Sequence, residues 1–269
     1  MKPMYSPIQM AFKYLRYWFT ASNGSGHGIH SPHVYTFVEQ VLIGRIADWD
    51  GFSLIRSVRK QLCSNPQELK VEDFGAGSVS KASASRSVSS IARLAAKPDR
   101  FGRLFYRIIR YYQIESVLEL GTSLGLTTRY LALAGPAAGV VTLEGAGEIA
   151  KFSQSCFDRE GRVNIRVIQG NFDQTLEKAL HGMKGRKFIF FDGNHRYAPT
   201  IRYFQQALEV MGEDDIFVFD DIHWSGEMER AWDEIKKNEK VSCTVDLFFV
   251  GIVFFKKAFK EKQEFTIRF

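Results

Sequence analysis

Through the second half of the chain, apolar runs of four to six residues recur, each followed by a glycine- or acid-bearing turn and then by apolar residues at helical spacing. The runs near 117–120, 140–144, 165–168, 187–191 and 215–220 read as strands, with helices between them and one more over 226–237. This alternation implies a parallel sheet covered by helices on both faces. The end of the chain breaks the rhythm. Thr244–Val250 and Ile252–Lys256 are parted only by Gly251, too little for a parallel crossover, so an antiparallel hairpin is expected. Glu264–Phe269 is a candidate for one more strand. Residues 1–98 lack the rhythm and read as a helical, loop-rich extension of an α/β domain over 99–269. Within the extension, Val34–Leu42 reads as a helix, and the serine-dense stretch Ser78–Ser90, leading to Lys97-Pro98, is the linker candidate.

Chemistry concentrates at the ends of the strands. Val117-Leu118-Glu119-Leu120-Gly121-Thr122-Ser123-Leu124-Gly125 is an apolar run entering a glycine turn, with a helix over Leu126–Leu133 behind it. Gly121 and Gly125 permit a tight turn and let a ligand approach bare backbone. Such a unit binds nucleotide-like ligands at the carboxyl end of a parallel sheet. The spacing is not GxGxxG, and no GK[ST] follows, which excludes a P-loop. Glu144 ends the next strand and can accept hydrogen bonds from both hydroxyls of a ribose; a solvated strand-end carboxylate is the plain alternative. Asp192, and Asp220 with Asp221, end two later strands. Carboxylates converging there would repel one another unless a cation paired with them, and hard oxygen donors favour Mg²⁺ or a similar divalent ion. The bland reading makes Asp192 and Asp220 helix caps.

The ExGxxxG run, with Glu119 inside the strand, resembles motif I of class I S-adenosylmethionine-dependent methyltransferases. The resemblance implies a Rossmann-like α/β fold: a mostly parallel seven-stranded sheet finished by the antiparallel hairpin, plus the N-terminal helical extension. It assigns S-adenosylmethionine to Glu119, Gly121, Thr122, Ser123 and Gly125, with Glu144 on the ribose. Asn171, Phe172 and Asp173 then bracket the adenine, and Asp192 lies on the cofactor side as well as at the metal. The later clusters are similar to those of metal-dependent O-methyltransferases of the catechol and macrolide-sugar type. By that likeness Asp192, Asp220 and Asp221 hold the divalent cation and His195 is the general base, the histidine pointing to the macrolide-sugar branch. His223 is the competing base. Gly26-His27-Gly28-Ile29-His30-Ser31-Pro32-His33 and Asp73-Phe74-Gly75-Ala76-Gly77-Ser78 are similar to segments of uncharacterised bacterial methyltransferases. Gly28 and Pro32 argue against a metal-binding helix in the first, which reads as a lid or as packing against the sheet. The second imitates the cofactor turn but has no strand-end acid at the right distance, and reads as a loop beside the site.

Composition narrows the setting. Hydrophobic residues make up 45% and charged residues 25% of 269, as in soluble globular proteins. No apolar run approaches the ~20 residues of a membrane span, and Met1–Thr20 lacks the layout of a signal peptide. Cys63, Cys156 and Cys243 are scattered and odd in number, which suits reduced cytoplasmic thiols. The net charge of +6 is mild, and Arg100, Arg103, Arg107 and Arg110 read as a solvated helix face. The expected activity is methylation of a small-molecule hydroxyl, with Trp224 a candidate for the acceptor pocket. The alternatives are a tRNA methyltransferase, which would need a basic track, and a non-catalytic scaffold that holds the cofactor.

Overall fold

Strand-forming runs rich in Phe, Ile and Val, buried on both faces, set the architecture. The structure is a computed structural model and describes residues 5–22, 31–44, 51–72, 83–95, 97–137, 139–257, 259 and 261–269. The segments His27–His30 and Asp73–Ser78 singled out above lie outside the described residues. The chain divides into two compact units, Met1–Arg45 with Lys187–Phe269, and Ile46–Arg186.

In the first unit, helices α1 (Pro7–Thr20) and α2 (Pro32–Phe37) precede the sheet. α2 runs on as a π-helical turn over Val38–Leu42, so the helix expected from Val34 begins two residues earlier and loosens after Phe37. Proline at the first helical position explains the early start, because its missing N–H would find no partner there anyway. The unit's later elements lie in the second unit's wake along the chain, and are numbered after it.

The second unit contains α3 (Gly51–Cys63), β1 (Glu68–Glu72), β2 (Ser83–Ser87), α4 (Val88–Ala95) and α5 (Asp99–Tyr111). Then follow β3 (Ser116–Leu120), α6 (Leu126–Leu133), β4 (Val140–Glu144), α7 (Gly147–Arg159), β5 (Ile165–Gln169) and α8 (Phe172–His181). β3, β4 and β5 lie side by side in parallel, as expected of βαβ units. β1 and β2 form a separate antiparallel pair. This corrects the purely helical and looped reading of the extension: Val71 and Glu72 close β1, and Ser83–Ser87 is a strand where a linker was expected. Serine is a weak strand former, and partnering by β1 overrides that propensity; Ser85 also donates its Oγ to Glu68 at 2.7 Å.

The first unit resumes with β6 (Lys187–Phe191), α9 (Tyr197–Glu209), β7 (Ile216–Asp220), α10 (Gly226–Lys237), β8 (Cys243–Asp246), β9 (Val250–Phe254) and β10 (Gln263–Thr266). Its strands run in the order β10-β8-β9-β7-β6. β6 and β7 are parallel, while β9 is antiparallel to both β7 and β8, which is the expected hairpin. β10 pairs in parallel with β8. Among the described residues there are eight strands besides the β1–β2 pair, one more than the seven expected. The hairpin turns at 247–249 rather than at Gly251, which lies inside β9. The glycine has another reason: a Cβ there would come within 2.6 Å of the buried Trp232 ring.

Candidate functional site

The glycine turn of the second unit is built as its sequence suggests. β3 is buried along its whole length and ends at Leu120. Gly121 (φ 107°), Ser123 (φ 46°) and Gly125 (φ 70°) are all left-handed. Ser123 is the unexpected member, since a side chain there is strained. Its N–H donates to Glu144 Oε2 at 2.8 Å, and its carbonyl accepts from Ser153 Oγ at 2.6 Å. Gly121 and Thr122 both donate backbone N–H to Leu143 O. Gly125 is fixed twice over, because besides its φ a Cβ would overlap the Phe157 ring.

Glu144 ties three loops together. Its Oε2 receives Ser123 N and its Oε1 receives Ala146 N at 2.9 Å, while its carbonyl receives Gly170 N. Burial raises its pKa against the lowering effect of these backbone donors. Each carboxylate oxygen has a second lone pair, so the group can still accept from a ligand.

Glu119 has no exposed surface. Thr128 Oγ1 and Thr142 Oγ1 donate to its Oε2 at 2.5 and 2.7 Å, and Thr122 Oγ1 lies 2.7 Å from Thr142 Oγ1. Burial lifts the carboxyl to about 7, with the two threonines pulling the other way. Thr122 is among the residues expected at the cofactor, whereas no spacing rule marks Thr128, Thr142 or Ser153 in the sequence. Arg129, also missed, is fully buried; its Nη1 donates to Leu124 O and Gly125 O, and its other nitrogens hold Glu160.

Of the three residues expected at the adenine, Asn171 has a local task. It is the N-cap of α8, its Oδ1 accepting from Asp173 N at 3.0 Å. Phe172 is half-buried and Asp173 is exposed.

In the first unit, Phe191 pairs with Phe219 across parallel β6 and β7, and their rings stack at 4.4 Å. Asp192 and Asp220 are the next residues on each strand, so register alone makes them neighbours. Asp220 is 1% exposed, and Asp192 is half-buried. His195 Nε2 lies 3.7 Å from Asp192 Oδ1. Asp192, His195 and Asp220 each bring one possible ligand atom within 4.8 Å of the others. Among the described residues no other such group of His, Cys, Asp or Glu occurs, and Asp221 is not part of this one. Asp221 is left-handed (φ 53°), and its N–H goes to Phe249 O at 2.7 Å. The helix that follows each acid begins elsewhere: α9 has Arg196 at its N-cap, and α10 has Ser225, whose Oγ accepts from Met228 N. The capping alternative for Asp192 and Asp220 therefore falls.

His223 is held by Asp246 at 2.8 Å and Glu229 at 3.2 Å. Burial opposes its charge, but these two hydrogen bonds and charges lift its pKa to about 9. Two carboxylates that favour the charged ring leave His223 neutral, and so able to accept a proton, less often than an imidazole without them. Trp224 is partly exposed in the same loop, donating its N–H to Asp221 O.

The arginine stripe of α5 is not a solvated face throughout. Arg107 is buried, while Arg103 sits 4.0 Å from Asp99 and 5.3 Å from the Phe52 ring centroid. Only Arg100 and Arg110 are exposed, which breaks any continuous basic track for RNA along this helix.

Residues 118–222, spanning β3 to the loop after β7, match the family described as a methyltransferase domain. The match covers β3 to β7 and the turns between them, where the glycine turn, Glu144 and the strand-end acids lie. Solved structures agree on the fold at low identity. An SAH-bound methyltransferase of Podospora anserina, PaMTH1, is 12% identical, with 96% of this chain and 99% of that one covered and a TM-score of 0.57. The O-methyltransferase TomG of Streptomyces achromogenes, in complex with SAM and involved in tomaymycin synthesis, is 16% identical over 81% of this chain and 96% of its own (TM-score 0.53). An O-methyltransferase of Bacillus cereus, in complex with SAH, is 16% identical over 80% and 96% (TM-score 0.51). No curated protein sequence matches the chain. The chain thus shares the Rossmann-like, mostly parallel fold of these structures, and among the described residues no helix is long and apolar enough to cross a membrane.

Proposed function

We propose that this S-adenosylmethionine-dependent methyltransferase transfers the methyl group to a hydroxyl of a small molecule, with assistance from a divalent cation. The observation that carries the reading is the trio Asp192, His195 and Asp220 at the tips of β6 and β7. In it a buried carboxylate, a half-buried carboxylate and an imidazole share one small volume. The glycine turn and Glu144 are assigned to the methyl donor, and the complexes of the fold neighbours with SAM or SAH support this choice.

The donor set fits a divalent ion: carboxylate oxygens suit Mg²⁺ or Mn²⁺, and an imidazole adds a preference for the latter kind of metal. Asp192 and Asp220 would hold it, and it would supply charge to stabilise the acceptor oxygen as its proton leaves. The rest of the chemistry belongs to the side chains. His195 takes the hydroxyl proton as the oxygen forms its bond to the methyl carbon, and the carbon–sulfur electron pair stays with sulfur, leaving S-adenosylhomocysteine.

Calorimetry tests both halves without an identified acceptor. Wild type should bind S-adenosylhomocysteine, and Glu144→Ala should bind it more weakly by about 1–3 kcal/mol, the loss of charged hydrogen bonds. Mn²⁺ should bind wild type and not Asp220→Asn. A folded wild-type protein that binds neither overturns the reading. The 4.8 Å grouping favours a second role for His195, as a third ligand. A His195→Ala protein that keeps its Mn²⁺ affinity supports the base; a weakened one supports the ligand. With an acceptor in hand, loss of the base should lower kcat by about 10²–10⁴-fold.

A further inference from the structure

Helix α1 carries three stripes, each at the same helical spacing. Met10, Tyr14, Tyr17 and Ala21 face inward and pack on Phe248 and Phe249. Gln9, Lys13, Arg16 and Thr20 make a polar stripe. Ile8, Phe12, Leu15 and Phe19 make the third, and they are 70%, 70%, 51% and 80% exposed, with Trp18 beside them at 43%. Isolated exposed apolar residues are ordinary, but five large ones side by side on one helix mark an interaction surface.

The helix is not a loose tail. Tyr17 donates its hydroxyl to Ile267 O, and Lys13 and Tyr5 both bond Glu229, at 2.8 and 2.6 Å. Ser22, just after α1, bridges to Ile267 beside β10. The outward stripe is therefore presented on a fixed support.

Charge identifies what it meets. The first 38 residues contain no Asp or Glu, and of the lysines and arginines described there Lys13 is paired with Glu229, which leaves the charge of Arg16. Arg16 is exposed on the rim of the stripe, and the Arg268 guanidinium lies 5.6 Å from the centroid of the Trp18 ring. A two-fold contact between copies would lay this basic rim against itself, with no carboxylate of the segment to answer it. Phospholipid headgroups of negative charge do answer it. A helix with Trp, Phe and Leu on one side and Lys or Arg along its edge is the kind that lies in a membrane interface.

We infer that α1 docks the protein on an anionic lipid surface, with the Ile8, Phe12, Leu15 and Phe19 stripe sunk among the headgroups and Arg16 at their phosphates. The inference does not depend on the reaction proposed above.

Co-sedimentation of the full chain with vesicles is the test, using phosphatidylcholine alone or mixed with phosphatidylglycerol. Binding is expected to the mixed vesicles only, weaker by tenfold or more in high salt. The double variant Phe12→Glu with Phe19→Glu should abolish it, and Arg16→Gln should weaken it. Val163→Glu, at a fully exposed apolar residue outside α1, should leave it unchanged. Because Arg16 is exposed, its variant remains informative even if the double variant misfolds. Failure of wild type to bind anionic vesicles overturns the proposal. So does a dimer in light scattering that dissociates on Phe12→Glu, since a second copy would then cover the stripe.

Discussion

At Glu119, two threonine hydroxyls converge on Oε2, and no hydrogen-bond donor reaches the buried Oε1. The folded protein therefore prefers the neutral acid, with a pKa of about 7 against 4.5 for the ordinary group. An acid whose pKa is raised on folding binds protons that the unfolded chain has released, so it costs stability as pH rises from 4.5 to about 7, and the cost levels off above that. Glu119→Gln keeps an oxygen for the threonines and has no charge to bury. Its stability relative to wild type should therefore be greater at pH 8 than at pH 4.5, read as urea midpoints. An equal difference at both pH values would show that burial of charge is not what the residue pays for. The sequence marks Glu119 as the acid of a motif; that it is sealed from solvent follows only from the helix and strand packed over it.

At the scale of elements, strands 187–191 and 216–220 are readable because their apolar runs have the right length and end in acids. β1, β2 and β10 are hard to read from their residues, since short polar strands owe their existence to a partner rather than to their own pattern. Glu144 shows how one strand end organises neighbours. It holds the N–H groups of Ser123 and Ala146, so the turn after β3 and the start of α7 share a brace. In Glu144→Ala, hydrogen exchange at these two amides should quicken by roughly tenfold or more, the worth of a bond to a charged acceptor. Amides inside β4 should exchange as before. Uniform acceleration across β4 would mean that the carboxylate supports the strand and not the loops.

Across the whole chain, the first unit joins residues 224 positions apart in one polar cluster: Tyr5 and Lys13 from the N-terminal segment, His223, Glu229 and Asp246 from the other end. Burial works against ionised Glu229, but its bonds to His223, Lys13 and Tyr5 hold it down at about 2. A depressed acid gives stability above its ordinary 4.5 that is lost as pH falls towards 2. The raised His223 works in the other direction, giving stability below 6.5 that is lost as pH climbs through about 9. Thermal midpoints should therefore be highest between pH 4.5 and 6.5 as far as this cluster is concerned, with a fall on each side. Glu229→Gln should lower the maximum and flatten the acid limb. A mutant whose profile runs parallel to wild type at every pH would remove the cluster as the cause.

By itself the sequence determined what depends on neighbours along the chain. The βα alternation, the glycine turn with Glu144 beyond it, and acids at the ends of β6 and β7 all follow from local periodicity and turn chemistry. Tertiary structure decided what depends on register and packing. It grouped Asp192 with Asp220 and His195 and left Asp221 out, because strand pairing and a left-handed backbone set where each carboxylate lies. It set His223 between acids from α10 and β8, which favour its charged form. It also buried Arg107 and left Phe12 and Phe19 outside, against their polarity, because burial is a property of the face an element turns to its neighbours, which no single residue type encodes.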